Sequence, residues 1–180
     1  MKLFNLFLVL TLSFLIAQET DKKSGKAMTL SGTMGYLSAI DDQTRASYDS
    51  GCSVGLSFDF PKELTIFKHK FTTGAEVNFV NLEGNATDDL SINSVIFHLD
   101  TKFDKLPIDF SFGTGVGIHP NSGYVGLALL DISHSLPCKK VDISLGLRIQ
   151  QVINVDGDFN LDFNHNLYGI NLKVGKKINF

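Results

Sequence analysis

A chain of 180 residues is long enough for one domain and short for two. Its 16 Lys and Arg residues stand against 19 Asp and Glu, a net charge of −3 without a basic stripe, which excludes nucleic acid as an expected partner. The two cysteines, Cys52 and Cys138, form no CxxC or Cys/His spacing, so a metal or redox motif built on cysteine is also excluded.

The first 17 residues resemble a secretory signal peptide. Lys2 supplies one positive charge, an apolar run extends from residue 3 to residue 17, and the small residue Ala17 stands at the expected cleavage site. A run of about 15 residues is shorter than the roughly 20 that a membrane-spanning helix needs. Cleavage near Ala17 would leave a flexible, polar lead-in over residues 18–27, followed by one folded domain over residues 28–180.

From Met28 onwards, apolar and small polar residues alternate, and a period of two predicts β-strands. The eight predicted strands cover residues 28–39, 51–60, 67–80, 91–103, 108–118, 124–134, 141–152 and 168–180. Most are close to the roughly 9–11 residues that a tilted strand needs to cross a bilayer. Pro61 is expected to end the second strand, because proline cannot donate a hydrogen bond to a ladder.

Alternation alone does not say which face of a strand lies inside a barrel, because a soluble barrel also alternates. Here one face of most strands carries Gly, Ser and Thr with single charges, and the other is nearly pure Val, Leu, Ile and Phe. Small polar side chains suit the narrow lumen of an eight-stranded barrel, and apolar faces suit lipid. The sixth strand is apolar on both faces, and we place the face with Leu127 and Asp131 inward.

The predicted connections alternate in length. Residues 61–64, 104–107 and 135–140 form short turns, whereas residues 40–50, 81–90 and 153–162 form longer acidic loops, with residues 119–123 as a short exception. Short turns on one side and longer loops on the other are typical of outer-membrane barrels. This topology places Cys52 and Cys138 at opposite ends of the barrel, so we expect no disulfide between them.

The chain ends in Lys173-x-Gly175-x-x-Ile178-x-Phe180. This pattern resembles the C-terminal β-signal of bacterial outer-membrane barrels, in which a polar residue and a glycine precede two hydrophobic residues, the last of them aromatic. The resemblance implies recognition by the barrel-assembly machinery. With the strand pattern, it predicts an all-β, eight-stranded antiparallel up-and-down transmembrane barrel in the bacterial outer membrane, in contact with its lipid. Small barrels of the OmpX type and the OmpA membrane domain are similar.

Six charged residues fall on the predicted inner faces. They are Asp59, Glu76, Asp109, Asp142, Arg148 and Lys173. Buried charges are tolerated chiefly when paired, so we expect a charge network that fills the lumen, with Arg148 and Glu76 as the preferred pair. A lumen that binds or conducts is the alternative.

Two segments invite comparison with catalytic sites of barrels. His134-Ser135 can be compared with lipid A deacylases, which use a His-x-Ser arrangement and a carboxylate, but Ser135 follows His134 directly and the motif does not match. His119 and Ser122 also have the wrong spacing. We therefore expect no catalytic residue, since nucleophilic catalysis needs a base beside the nucleophile.

A calcium loop is the one metal site that the sequence suggests. Four oxygen-bearing side chains alternate in the last predicted loop: Asp156, Asp158, Asn160 and Asp162. Leu161 and Leu167 stand where such a loop needs its glycine and its closing glutamate. A hairpin loop is therefore expected, with no metal and no cofactor.

The sequence thus predicts a non-catalytic barrel with a structural, adhesive or envelope-stabilising role and an unidentified external partner. The first alternative is a narrow channel or carrier for small, apolar molecules. It is suggested by four inward-leaning apolar residues, Ile92, Ile96, Leu127 and Leu129. The second alternative is a lipid-modifying outer-membrane enzyme.

Overall fold

The computed structural model describes residues 28–66, 69–85, 88–102, 108–120, 123–136, 138, 141–155 and 161–178. The elements within these ranges are β1 (Met28–Ala39), α1 (Asp42–Ser47), β2 (Tyr48–Ile66), β3 (His69–Gly84), β4 (Leu90–Lys102), β5 (Asp109–His119), β6 (Gly123–Leu136), β7 (Asp142–Val155) and β8 (Leu161–Ile178). The expected signal peptide, the lead-in and Phe180 lie outside the described residues.

The strands form one closed antiparallel barrel. Each strand pairs with the next, and β1 closes on β8 from Met28–Ile178 to Ala39–Leu167. Closure leaves no unpaired sheet edge, as a hydrocarbon environment requires. The predicted fold class is therefore confirmed. None of the helical residues that the structure describes forms a segment long and apolar enough to span a bilayer.

The two ends of the barrel differ. We call the end that holds the start of β1 and the end of β8 the terminal end, and the end at which α1 lies the loop end. Both cysteines are free and exposed. Cys52 lies on β2 toward the loop end, whereas Cys138 follows β6 at the terminal end, so the two thiols are too far apart to pair.

The inward and outward faces follow the alternation. Met34, Leu56 and Leu147 point outward and are 54–59% exposed, whereas Ser57 and Asn78 point inward and are fully buried. The face with small polar residues therefore points into the lumen, where buried apolar residues join it toward the loop end, and the other face is presented to the surroundings.

The facing of the sixth strand also agrees with the sequence analysis. Val125, Leu127 and Leu129 are at most 5% exposed, whereas Tyr124 is 76% exposed. The set that contains Asp131 therefore lies inside the barrel.

The predicted end of the second strand at Phe60 is wrong. β2 continues to Ile66, and its pairing with β3 jumps from Asp59–Gly74 to Glu63–Thr72. The residues between these pairs, including Pro61, have no ladder partner in β3. Such a bulge accommodates proline, because no hydrogen bond is required of its missing N–H.

The predicted long loops are also too long. β3 extends to Gly84, β4 begins at Leu90, and β7 and β8 extend into the loop predicted over residues 153–162. Leu82 and Leu90 are buried in the lumen. The inward side chains therefore stay apolar in these segments after the outward side chains have become polar, and the strands continue past their predicted ends. The turn expected at residue 135 likewise starts later, since β6 runs to Leu136.

The predicted loop over residues 40–50 contains the helix α1. Asp41 is its N-cap, and its carboxylate accepts a hydrogen bond of 2.7 Å from the Thr44 N–H. A helix was not predicted here, because six residues are too few to show a helical period.

Candidate functional site

An arginine crosses the lumen near the middle of the barrel. Arg148 of β7 is 2% exposed, and its guanidinium forms a bidentate pair with Glu76 of β3, at 2.8 Å and 3.1 Å. It forms a second bidentate pair with Asp131 of β6, at 2.9 Å and 2.8 Å. β3 and β7 are four strands apart in an eight-stranded barrel, so the Arg148–Glu76 pair bridges opposite walls.

This cluster has the geometry of a brace. Four hydrogen bonds fix the guanidinium in its plane, and each carboxylate has both oxygens engaged with it. Paired Arg and carboxylate groups in this fork arrangement are among the stronger hydrogen bonds in proteins. The cluster therefore connects opposite walls of the barrel through one buried side chain.

An apolar layer fills the lumen from this level to the loop end. Ile96 pairs in register with Glu76, and Leu127 and Leu129 face it from β6. The other buried members of this layer are Leu37, Val80, Leu82, Leu90, Ile92, Val125, Val152 and Leu167. The interior of the loop-end half is thus largely apolar, with Asn78, Ser94 and Gln150 buried among these side chains, whereas outer-membrane barrels usually have polar interiors.

A second polar cluster lies on the terminal side of Arg148. His98 of β4 is 4% exposed, and its Nδ1 is 3.1 Å from Oδ1 of Asp100 on the same strand. Its Nε2 is 3.2 Å from Oγ of Ser57 and 3.9 Å from Oδ1 of Asp59, both on β2. Nζ of Lys173 on β8 lies 3.2 Å from the same Asp59 oxygen.

The His98 cluster lines a cavity of about 440 Å³ in the terminal half of the lumen. Glu76 and Arg148 form its inner limit, and Thr29 and Lys177 lie toward the terminal end. Seven carboxylate side chains and four Lys or Arg side chains line this cavity. An excess of negative charge in a confined space favours cations over anions.

The remaining charged residues of the predicted network lie at the rim of the cavity. Asp109 is 3.5 Å from Nζ of Lys102 and accepts a hydrogen bond of 2.5 Å from Ser135. Asp142 also lines the cavity but is exposed to solvent. The six predicted residues therefore divide among the Arg148 cluster, the His98 cluster and the rim.

The predicted assembly signal and calcium loop are only partly described. Gly175 pairs with Ser31, and Ile178 pairs with Met28 at the terminal end. Asp156, Asp158 and Asn160 lie outside the described residues. Asp162 belongs to β8, where it pairs with Asn154, so the calcium-loop spacing ends inside a strand and not in a loop.

Sequence analysis did not single out Asp131, His98 or Asp100 as site residues. Alternation placed all three inward, but their partners depend on strand register. The contact of His98 with Asp59 is one example, because it also depends on Gly74 of β3. A Cβ at Gly74 would overlap the His98 ring. The absent side chain lets the ring lie across β3 and reach Asp59 on the next strand.

The loop end has a hydroxyl–imidazole contact of its own. Thr44 Oγ1 donates to Asp41 Oδ2 at 2.9 Å and lies 3.3 Å from Nδ1 of His165. Burial alone would raise the pKa of Asp41, but hydrogen bonds from the Thr44 N–H, the Thr44 hydroxyl and the Asn166 N–H lower it to about 2. The carboxylate is therefore ionised and accepts the hydrogen bond of the Thr44 hydroxyl. This arrangement caps α1 at its N-terminus.

Comparison with solved structures identifies the fold. The crystal structure of the outer membrane enzyme PagL matches with a TM-score of 0.54 at 15% sequence identity, over 83% of this chain and 99% of that chain. The fold is that of a small outer-membrane β-barrel. At this identity, the likeness extends to the fold and not to the activity.

Two further solved structures match the barrel. The crystal structure of Neisserial surface protein A (NspA) gives a TM-score of 0.45 at 15% identity, over 88% of this chain and 100% of that chain. A structure from the de novo design of transmembrane beta-barrels gives 0.39 at 11% identity, over 88% and 100%. No protein-family model and no curated protein matches the sequence.

Proposed function

We propose that this barrel is a closed, non-conducting protein of the bacterial outer membrane with a structural, adhesive or envelope-stabilising role and no catalytic activity. The observation that carries the proposal is the filling of its lumen. An ion crossing the barrel would meet the Arg148–Glu76 brace and then the apolar layer. An ion in this layer would exchange most of its hydration for aliphatic side chains and a few buried polar groups, which is costly, so passage is opposed at two levels.

The outer surface supports a membrane location. Tyr36, Tyr124 and Tyr168 all point outward toward the loop end and are 47–76% exposed. Tyrosine concentrates at the boundary between lipid and water, and apolar residues cover the barrel wall below this level. We place the loop end at the cell surface and the terminal end in the periplasm, because an even number of strands returns both chain ends to the periplasmic side.

Biogenesis follows from the same proposal. The chain would be exported with cleavage near Ala17 and assembled by the barrel-assembly machinery through Lys173, Gly175, Ile178 and Phe180. Outer-membrane lipid would then be its permanent partner. Removing the terminal aromatic with Phe180→Ala should lower the amount of folded barrel in outer-membrane fractions without lowering synthesis of the precursor.

Planar-bilayer recording tests the closed lumen. Wild-type barrel should add no steady unit conductance. The double variant Ile96→Ser/Leu127→Ser opens the apolar layer. Its conductance should be recorded in the same membrane and compared with that of the wild-type barrel. A stable unit conductance in wild-type protein would show that the channel alternative is correct.

Lipid analysis tests the absence of catalysis. Mass spectra of lipid A from cells with and without the barrel should be identical. The fold is shared with the outer membrane enzyme PagL, so a mass difference would favour the lipid-modifying alternative. A deletion strain should instead show greater sensitivity to detergents, which is the expected sign of an envelope-stabilising role.

A further inference from the structure

We propose that Asp59 and His98 form a binding site for a divalent transition-metal ion of the Zn²⁺ class inside the periplasmic cavity, with Asp100 as the residue that positions the imidazole. This inference does not depend on the closed lumen or on the absence of catalysis. It rests on the geometry of three side chains that β2 and β4 bring together across Gly74.

The first observation is the spacing of the potential ligand atoms. Asp59, His98 and Asp100 each contribute one oxygen or nitrogen, and these atoms lie within 4.8 Å of one another. Zinc binds imidazole nitrogen and carboxylate oxygen at about 2.0–2.2 Å, so two ligand atoms of one ion are at most about 4.4 Å apart. The two proposed ligand atoms, Nε2 of His98 and Oδ1 of Asp59, are 3.9 Å apart and already meet this limit.

The second observation is the orientation of the His98 ring. Nδ1 lies 3.1 Å from Oδ1 of Asp100, which fixes the proton on that nitrogen. Nε2 then has a lone pair that accepts a hydrogen bond from Ser57 Oγ at 3.2 Å, and Oδ1 of Asp59 lies 3.9 Å from the same nitrogen. A metal ion would replace the Ser57 hydroxyl at Nε2. A carboxylate behind a metal-bound histidine is the usual second partner in such sites, since it holds the ring and increases its basicity.

The third observation is the rigidity of this arrangement. The His98 side chain is 3% exposed and occupies the space above Gly74 that any other residue would fill. Its Nδ1 is engaged with Asp100, so Nε2 is the nitrogen that remains for a metal ion. The adjoining cavity of about 440 Å³ leaves room for water to complete the coordination shell and provides a route from the terminal end.

Lys173 lowers the affinity of the proposed site for a metal ion. Its ammonium lies 3.2 Å from Oδ1 of Asp59 and therefore competes with a metal ion for the same oxygen. The Lys173 side chain is 27% exposed on a flexible stem, and the cavity holds more carboxylates than cations. The ammonium can thus withdraw into an environment that still carries negative charge.

The class of metal follows from the ligands. Imidazole nitrogen suits zinc, nickel, copper and iron, whereas Mg²⁺ and Ca²⁺ prefer sites made of oxygen alone. We expect one Zn²⁺ per barrel and no displacement of zinc by an excess of Mg²⁺.

The test is calorimetric titration of the full-length barrel, refolded in detergent micelles and stripped with a chelator, with ZnCl₂. His98→Gln and Asp59→Asn should each weaken binding at least tenfold. Asp100→Asn should weaken it on the order of tenfold, which is typical of a lost partner behind a metal-bound histidine. Lys173→Met should strengthen binding, because the competing cation is removed.

His134→Gln is the matched control, since His134 is exposed near the same end of the barrel and lies outside the cavity lining. It should bind zinc like wild type. Circular dichroism and the boiling-dependent gel shift confirm that each variant is folded. X-ray absorption of the zinc complex should show one imidazole among oxygen ligands.

Three outcomes would overturn the proposal. The first is that zinc binds neither to wild-type protein nor to Lys173→Met, as expected if His98 forms hydrogen bonds and binds no metal ion. The second is unchanged affinity in His98→Gln, which would place zinc elsewhere on the barrel. The third is equal competition by Mg²⁺, which would indicate a site without an imidazole ligand.

Discussion

Replacing Arg148 with methionine should destabilise the barrel by about 3–5 kcal/mol, because the change leaves two buried carboxylates without their cation. The side chains of Glu76 and Asp131 are only 5% and 12% exposed, so water from the adjoining cavity would replace the guanidinium only in part. Methionine occupies a similar volume, and loss of packing therefore contributes little.

The magnitude follows from the contacts of the guanidinium. Arg148 donates four hydrogen bonds to charged acceptors, each worth about 1.5–3 kcal/mol when removed alone. These contributions overlap, because all four depend on one group, and the sum would overstate the loss. The range measured for breaking buried ion pairs, about 3–5 kcal/mol, is the better expectation.

The assay is urea unfolding of the barrel in detergent micelles. The chain contains no tryptophan, so unfolding is followed by far-ultraviolet circular dichroism and by the fraction of the compact band on unboiled gels. Lys102→Met is the matched control. Lys102 is 75% exposed and 3.5 Å from Asp109, and exposed pairs are worth about 0–1 kcal/mol.

A triple variant separates charge from shape. Glu76→Gln/Asp131→Asn/Arg148→Met removes all three charges and should recover at least half of the lost stability, since neutral replacements of buried ion pairs are often tolerated. The free energies of unfolding of Arg148→Met and of the Lys102→Met control are then compared. If they differ by less than about 1 kcal/mol, the scale expected for exposed pairs, the brace does not stabilise the barrel.

Three further predictions concern the wall and the loop end. Leu147→Arg, on the lipid-facing side of β7, should cost about 2–4 kcal/mol in lipid vesicles by the same unfolding assay. Gly169→Ala should lower the yield of folded barrel on gels, because its Cβ would overlap the carbonyl oxygen of Tyr36, whereas Gly32→Ala, with no atom within 4 Å of the added Cβ, should fold normally. Asp41→Ala should weaken α1 by about 0.5–2 kcal/mol at neutral pH. Folding lowers the pKa of Asp41 from 3.8 to about 2, so the stabilisation by this carboxylate is complete above pH 4 and is lost toward pH 2. The amide exchange rates of α1 in wild-type protein and in Asp41→Ala should therefore become equal near pH 2.

The sequence was sufficient for the facing of the strands, because a period of two records which side of each strand meets the lumen. It also suggested the Arg148–Glu76 contact, which the structure contains, since both are charged side chains on inner faces near mid-strand. It was not sufficient for strand ends. Asn81 and Glu83 look like loop residues, yet Leu82 between them is buried in the lumen.

The polar cluster around His98 could not be predicted for a different reason. Its members lie on β2, β4 and β8, so their contacts depend on the register of several strands at once. The contact with Asp59 also depends on Gly74, whose missing side chain leaves space for the ring. In a single sequence, that glycine cannot be distinguished from the other lumen glycines.

The apolar layer has a consequence for hydration. Toward the loop end, aliphatic side chains cover most of the inner surface of the sheet, so water inside the barrel has little access to the amides there. Toward the terminal end, the cavity wets the inner surface. Local opening is easiest where apolar contacts are fewest. Deuterium should therefore enter the terminal half first, and the pairing of β1 with β8 should open from Met28 and Ile178 while the pairs near Ala39 and Leu167 stay closed.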